Sequence, residues 1–266
     1  MSDSDVVKHD LKTAPNTPAI DWEDFSEPVP LPDDDAEPPF EDLPMAIKPP
    51  VVTRVTDEEL VSAPYRSVGQ MGAIMGGKKI VGSGWVGARR AFFTAGHCVY
   101  HPKFGGWVTW AAIAPRYNNN VVPTYTVASV YALKGWLDSS KREFDMAACV
   151  VTVSFATTEP PLAFDAGILP GLNFTAIGYP AKPVPGYDFN GKRMWKCVGD
   201  FIRTKKNRLY AANNFTSGGS GGPWCETGRL GVVSGLNAAR HTDPQIAISP
   251  YFASGFQKLY DAVKDF

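Results

Sequence analysis

From about residue 68 the chain alternates short apolar runs with Gly, Pro and Asn. One set of runs spans 79–86, 91–94, 107–113, 125–133 and 146–153. A second spans 172–178, 194–202, 208–212, 230–234 and 245–249. These runs are rich in Val, Ile, Phe, Tyr and Trp, are too short for ordinary helices, and are bounded by turn residues. That pattern predicts strands of a sandwich or barrel. The two sets divide near residues 157–170, where Thr157-Thr158-Glu159-Pro160-Pro161 has linker chemistry. The expected body is therefore all-β and double, with a first barrel over 65–160 and a second over 161–250. After residue 250 the period changes. Phe252, Phe256, Leu259, Val263 and Phe266 recur every three or four residues. This predicts a core-facing helix over 251–266, and Ser254 three before Gln257 reads as its capping box.

The first 64 residues have a different character. Residues 1–62 hold 16 acidic and 4 basic side chains and 10 of the 23 prolines. The chain as a whole carries a formal charge of −1, so the remainder is basic by nearly as much as this leader is acidic. Little apolar surface offsets the ordering entropy here, which predicts a segment disordered when alone. One reading is an inert solvated tail. The other is a pro-segment or tether lying along the basic body, with an attraction that weakens with salt. Met1-Ser2-Asp3-Ser4-Asp5 lacks the basic-then-apolar pattern of a secretory signal. No run is long enough to span a membrane as a helix. Lys205-Lys206-Asn207-Arg208 reads as a hairpin tip, because nucleic-acid binding needs a broader basic and aromatic surface. No phosphate loop is present, and the cysteine spacing fits no zinc motif, so no metal or cofactor is expected.

The candidate chemistry lies in three places. Gly218-Gly219-Ser220-Gly221-Gly222-Pro223 sets one serine inside a glycine run. Alone this also reads as a linker. Glycines there let backbone N–H groups converge beside a hydroxyl, which acyl transfer requires. Upstream, Thr94-Ala95-Gly96-His97-Cys98 follows the apolar run Ala91-Phe92-Phe93, and Phe144-Asp145-Met146-Ala147 opens another. A serine hydroxyl needs a base, and a base needs an orienting carboxylate. His97 and Asp145 are the candidates, each at the end of a predicted strand.

With these three motifs in the order His, Asp, Ser, the chain resembles the chymotrypsin-fold serine endopeptidases over about residues 65–266. Tyr65-Arg66-Ser67-Val68-Gly69, Gly82-Ser83-Gly84-Trp85, His97-Cys98-Val99-Tyr100 and Gly178-Tyr179-Pro180 are most similar to its bacterial glutamyl-endopeptidase (V8-like) branch. The resemblance implies two six-stranded antiparallel β-barrels. It implies a monomeric endopeptidase that cleaves protein or peptide substrates through His97, Asp145 and Ser220 and an acyl-enzyme. The N–H groups of Gly218 and Ser220 would form the oxyanion hole. An extracellular location is implied too. A silent binding protein of the same fold, or a peptidase held latent by its acidic leader, are the alternatives.

Specificity is read from the same resemblance. The position that is Asp in trypsin-like relatives is Asn214 here, followed by Phe215. The strand after the serine motif reads Gly231-Val232-Val233-Ser234, with Val233 where glutamyl-specific relatives carry histidine. Asn214, Phe215, Val233, Ser234, Gly235 and Leu236 are therefore the expected substrate-binding residues. Ser234-Gly235-Leu236 would offer an edge for strand addition, and neutral side chains would be preferred. Gly219 cannot make the ion pair by which animal members are activated. The four cysteines permit two disulfides in three connectivities. One bridge in each half, Cys98 with Cys149 and Cys197 with Cys225, is the expectation. Buried reduced thiols are the alternative. Many relatives pair the cysteine after the histidine with one on the preceding strand, and that strand has none here.

Overall fold

The computed structural model describes residues 2–12, 22–25, 27–28, 47–120, 122–167, 173–241 and 245–266. The leader supplies β1 (Val6–Asp10), β2 (Glu27–Pro28) and β3 (Val51–Arg54), followed by the short helix α1 (Asp57–Leu60). The first half of the body contains β4 (Val68–Met75), β5 (Lys78–Ala88), β6 (Ala91–Thr94), β7 (Tyr100–His101), β8 (Gly106–Trp107), β9 (Trp110–Pro115), β10 (Tyr125–Leu133), α2 (Lys134–Ser139) and β11 (Ala147–Val151). The second half contains β12 (Ala163–Phe164), β13 (Asn173–Gly178), β14 (Trp195–Lys205), β15 (Arg208–Ala212), β16 (Pro223–Glu226), β17 (Val232–Leu236), β18 (Ala239–Arg240), β19 (Ile246–Pro250) and α3 (Phe256–Asp261).

The first sheet runs β10-β11-β6-β5-β4-β9, and β9 also pairs with β10. Six strands therefore close into a barrel, which removes the free edges. The Gly76-Gly77 turn between β4 and β5 has φ of 56° and 79°. That left-handed pair matches the twist of a two-residue hairpin. In the second sheet β17 pairs with β16, while β18, two residues further on, pairs with β19. The segment 232–240 thus links the two ends of β16-β13-β14-β15-β19 and completes a second barrel. The architecture is the expected all-β double barrel. Lys206 and Asn207, with φ of 50° and 56°, make the tip of the β14–β15 hairpin, as predicted.

Several expectations need correction. The strand expected over 107–113 starts at Trp110, because Gly106–Trp107 pairs with Tyr100–His101 in a separate ribbon. The terminal helix is shorter than 251–266 and has no capping box. Its N-cap is Gly255 without a side-chain bond, and Ser254 Oγ is buried without a hydrogen-bond partner. Phe252, Phe256, Leu259 and Val263 are buried as the periodicity implied, with Trp85 stacked on Phe252 and Phe256, while Phe266 is exposed.

All four cysteines are buried thiols. Cys197 lies opposite Ala176 and Cys225 opposite Thr175, on the two strands that flank β13. Two strand spacings, about 9–10 Å, and opposite faces separate them, which no disulfide spans. Cys98 Sγ turns instead toward the Ser220 carbonyl, 3.8 Å away. Burial pushes the Cys149 thiol above its usual range.

The described parts of the leader are docked on the body. β1 runs antiparallel along β10, β2 parallel to β5, and β3 antiparallel to β14. Asp3 and Asp5 carbonyls accept the N–H groups of Gly135 and Lys134 at 2.7 and 2.8 Å. Ion pairs join Asp24 to Lys79 (2.5 Å), Arg54 to Asp188 (3.1 Å), Asp3 to Lys141 and Glu59 to Lys196. Exposed pairs contribute about 0–1 kcal/mol each. Burying Leu11, Phe25, Val52, Val55 and Leu60 contributes more, about 1.5–3 kcal/mol per fully buried large side chain. Strand pairing and apolar burial, rather than charge, hold these pieces. The rest of the leader lies outside the described residues.

Candidate active site

Each sequence-predicted catalytic residue sits at a strand end where the barrels meet. His97 follows β6 in a short 3-10 turn, Asp145 precedes β11, and β6 and β11 are paired neighbours. That pairing brings 97 and 145 together across 48 positions of sequence. Asp145 Oδ2 lies 2.8 Å from His97 Nδ1, and Oδ1 accepts the His97 backbone N–H at 2.8 Å. Both carboxylate oxygens are thus engaged by one residue, which fixes ring and carboxylate in a common frame. Gly96 leaves the necessary room, since a Cβ there would lie 2.9 Å from Asp145 Oδ1 and from Trp136. Burial disfavours the charged imidazole, but the Asp145 carboxylate outweighs it and raises the His97 pKa to about 10.

Ser220 comes from the other barrel. Its carbonyl accepts the Ser83 N–H at 2.7 Å and lies against Cys98, the neighbour of His97. His97 Nε2 and Ser220 Oγ are both buried, and neither makes a hydrogen bond. His97, Asp145 and Ser220 are each 0% exposed. A ring nitrogen and a hydroxyl are chemically complementary groups, and each is here buried without a hydrogen-bond partner.

The glycine run behaves as its composition suggests. Gly218 has φ +93°, and a Cβ there would fall 2.6 Å from Ala181 Cβ and 2.7 Å from the Tyr179 carbonyl. Only glycine fits. The N–H groups of Gly219, Gly221 and Gly222 are bonded to the carbonyls of Thr216, Asn237 and Gly219. No hydrogen bond from the Gly218 or Ser220 N–H joins a partner among the described residues.

Two polar residues that the sequence reading passed over hold this loop. Ser83 Oγ donates to the Gly218 carbonyl at 2.8 Å and accepts the Tyr179 N–H at 2.9 Å. Asn237 donates its amide to the Gly219 carbonyl at 3.1 Å, and its oxygen accepts from Trp224 Nε1 (2.7 Å) and Asn213 Nδ2 (2.8 Å). Its backbone bonds Gly221 and Gly222. The available signal was a polar residue inside an apolar run, Ser83 after Ile80-Val81-Gly82 and Asn237 after Val232-Val233.

The expected substrate-binding residues lie in different surroundings. Asn214 is half-buried, and Phe215 is packed in the second-barrel core against Phe189. Val233 is buried opposite Cys225 and Phe164, four residues down the strand from Asn237. Ser234 falls at a bulge beside it, with its buried Oγ unpartnered, and Gly235 and Leu236 pair with Trp224 and Pro223. β12 flanks β17 at Val232 and Val233, and beyond them Ser234–Leu236 has β16 on one side and no paired strand on the other among the described residues. β18, the last strand of the sheet, pairs with β19. Partners across a ladder share a face. Ala239 lies opposite Ile248, in a cluster with Tyr210 and Ile246. Arg240 lies opposite Ala247, which packs with Phe215 and Trp224. Arg240 thus shares the face of β18 that meets Ala247, half-buried, and burial lowers its pKa.

No family model matches the chain. In sequence it is 25% identical over 205 residues to a glutamyl endopeptidase of Bacillus licheniformis, covering 75% of this chain and 61% of that relative. Among solved structures it is similar to the protease Anisep of Arthrobacter nicotinovorans, with TM-score 0.68, 24% identity, and coverage of 81% of this chain and all of that one. It is also similar to a Glu endopeptidase solved with MPD, with TM-score 0.69, 20% identity, and coverage of 81% and 97%. The fold is the chymotrypsin-like double barrel, and the sequence resemblance to the V8-like branch extends over three quarters of the chain.

Proposed function

From a chain with the chymotrypsin-like fold and a sequence resembling the glutamyl endopeptidases, we infer a serine endopeptidase. The reading is carried by one observation: the Asp145 carboxylate orients the buried His97 ring and leaves its Nε2 unpaired, as the buried Ser220 hydroxyl is. Ser220 Oγ attacks the scissile carbonyl carbon while its proton passes to His97 Nε2. The C–N bond then breaks, and that proton leaves with the amine. Water, deprotonated by the same ring, cleaves the resulting ester and restores the serine. Asp145 holds the tautomer and stabilises the imidazolium. The N–H groups of Gly218 and Ser220 stabilise the oxyanion, a contribution of roughly 3–4 kcal/mol per donor in such sites.

Arg240 supports a finer reading, a preference for acidic side chains. The alternative, a preference for neutral side chains, rests on Val233. The relatives named above as glutamyl and Glu endopeptidases are consistent with this preference.

A fluorophosphonate probe tests the reaction. Labelling that disappears in Ser220→Ala supports it. Equal labelling of that variant would place the reactive hydroxyl on another residue, and none of the parent after the leader is released by proteolysis leaves a silent binding protein.

A further inference from the structure

A planar trans peptide holds its C=O and N–H on opposite sides, so whatever grips the carbonyl aims the N–H. Both donors assigned to the oxyanion are set in this way. The peptide 219–220 is trans, and its carbonyl accepts the Gly222 N–H at 3.0 Å and the Asn237 amide at 3.1 Å. The Ser220 N–H is thereby turned away from both. The peptide 217–218 is also trans, and its carbonyl, on Ser217, accepts the Ala181 N–H at 2.8 Å. The Gly218 N–H therefore points away from Ala181, and its direction is only as fixed as the grip of the 180–191 loop on Ser217.

That grip is a two-residue zip. Beside Ser217, the buried Thr216 meets Lys182 twice. Its Oγ1 accepts the Lys182 N–H at 3.2 Å and donates to the Lys182 carbonyl at 2.8 Å. The Thr216 carbonyl is engaged elsewhere, by the Gly219 N–H at 3.0 Å, so the hydroxyl stands in for a backbone partner. The 180–191 loop is itself braced. The Gly191 N–H donates to the Pro180 carbonyl at 2.9 Å across its neck, and Gln70 of β4 donates to the Gly191 carbonyl. Val184 and Tyr187 bridge near its tip, and Phe189 packs edge-on against Phe215 with ring centres 6.1 Å apart.

We propose that Thr216 is a positioning residue: its hydroxyl ties the serine loop to the 180–191 loop and thereby aims the Gly218 N–H at the developing oxyanion. The proposal rests on the endopeptidase reading and adds to it the side chain that orients one of its two donors. The Thr216 hydroxyl bonds Lys182 rather than a reacting atom, so it acts through Gly218. The oxyanion develops only on the way to the tetrahedral intermediate. A loss of alignment should therefore lower kcat and leave KM nearly unchanged. Removing such a donor outright costs about 10²–10³ in kcat, and a donor kept but loosened should cost less, about 10–50-fold.

The test uses the full chain, before and after proteolytic release of the leader. For the parent, Thr216→Val, Thr216→Ala and Thr216→Ser, kcat and KM are measured on a peptide drawn from the cleavage profile, and Ki on the aldehyde of the same peptide. The hemiacetal oxygen of the bound aldehyde takes the place of the oxyanion, so its affinity reports the donors without turnover. Thr216→Val should lose about 10–50-fold in kcat and a similar factor in aldehyde affinity, with KM within about twofold of the parent. Thr216→Ser keeps the hydroxyl and should stay within about threefold in all three quantities. Thr216→Ala carries the same expectation as Thr216→Val, so a valine variant that fails to fold leaves the hydroxyl testable. Thermal melts close to the parent's establish folding. Parental kcat without the hydroxyl, equal losses in all three variants, or a loss confined to KM would overturn the inference and leave the endopeptidase reading intact. A parent that neither hydrolyses peptide nor labels with fluorophosphonate would remove the reading beneath it.

Discussion

Asp145 binds His97 twice, through the ring at 2.8 Å and through the backbone N–H at 2.8 Å. The carboxylate that raises the imidazole pKa therefore also fixes where the ring stands. The raised pKa of His97 follows from this contact, and it has consequences for rate and for stability.

A general base works only when neutral. With its pKa raised, His97 should make turnover climb with pH beyond the ordinary histidine value near 6.5 and into the alkaline range. Stability has the opposite slope. The native state holds the proton more tightly than the unfolded chain, so this contribution is full below about pH 6.5 and is lost as pH rises toward 10. Asp145→Asn should flatten that slope in chemical unfolding measured from pH 6 to 10. It should also lower turnover by roughly 10⁴. A variant with parental turnover would show that His97 is not the base.

Asn237 ties the serine loop to the neighbouring strand with every polar atom of its amide oxygen and one donor in use. Asn237→Ala would strand Trp224 Nε1 and Asn213 Nδ2 in the interior. Each unpaired buried group costs about 1–3 kcal/mol, so a loss of about 2–4 kcal/mol is expected. Urea unfolding at constant slope reads it directly. A change below 0.5 kcal/mol, roughly the level of a surface substitution, would contradict this role.

Gly82 lies where a disulfide to Cys98 would fit. An ideal Cβ at 82 is 3.8 Å from Cys98 Cβ and 3.1 Å from its Sγ. Disulfides have Cβ–Cβ separations of about 3.8 Å. Gly82→Cys should therefore form a bridge with Cys98 under oxidising conditions, leaving three free thiols on denaturation. The closed loop should contribute about 3 kcal/mol. An oxidised variant that melts no higher than its reduced form would mean that the adjacent Ser220 carbonyl is strained in exchange.

Arg240 is the half-buried charge of β18 to which the proposed acidic preference is assigned. Cleavage profiling of a peptide library should show preference for acidic side chains in the leader-released protein. Arg240→Ala should reduce that preference roughly 10–100-fold, the value of a charge-assisted hydrogen bond. An unchanged profile would place the selecting group elsewhere.

Much of this molecule was written locally. The strands over 91–94, 125–133 and 208–212 coincide with their apolar runs, because short buried strands carry their signal in composition and turn residues. His97, Asp145 and Ser220 stood out because their motifs surround them within a few residues, and the structure pairs the first two. The leader strands were not. Two-residue or exposed segments such as Glu27–Pro28 gain their structure only from the edge that receives them.

What tertiary structure alone decided was which residues meet. Val233 and Asn237 sit in one run of sequence, and nothing in that run says which one reaches the serine loop. A bulge at Ser234 and the register of Pro223 with Leu236 settle it for Asn237. Likewise the spacing of four cysteines allowed a bridge between 197 and 225, but the strand between them forbids it. Sequence dictates local periodicity and local chemistry. Register, strand order and the face a side chain takes are set by packing across long separations, and these set Ala239 against Ile248 and Arg240 against Ala247 on opposite faces of β18.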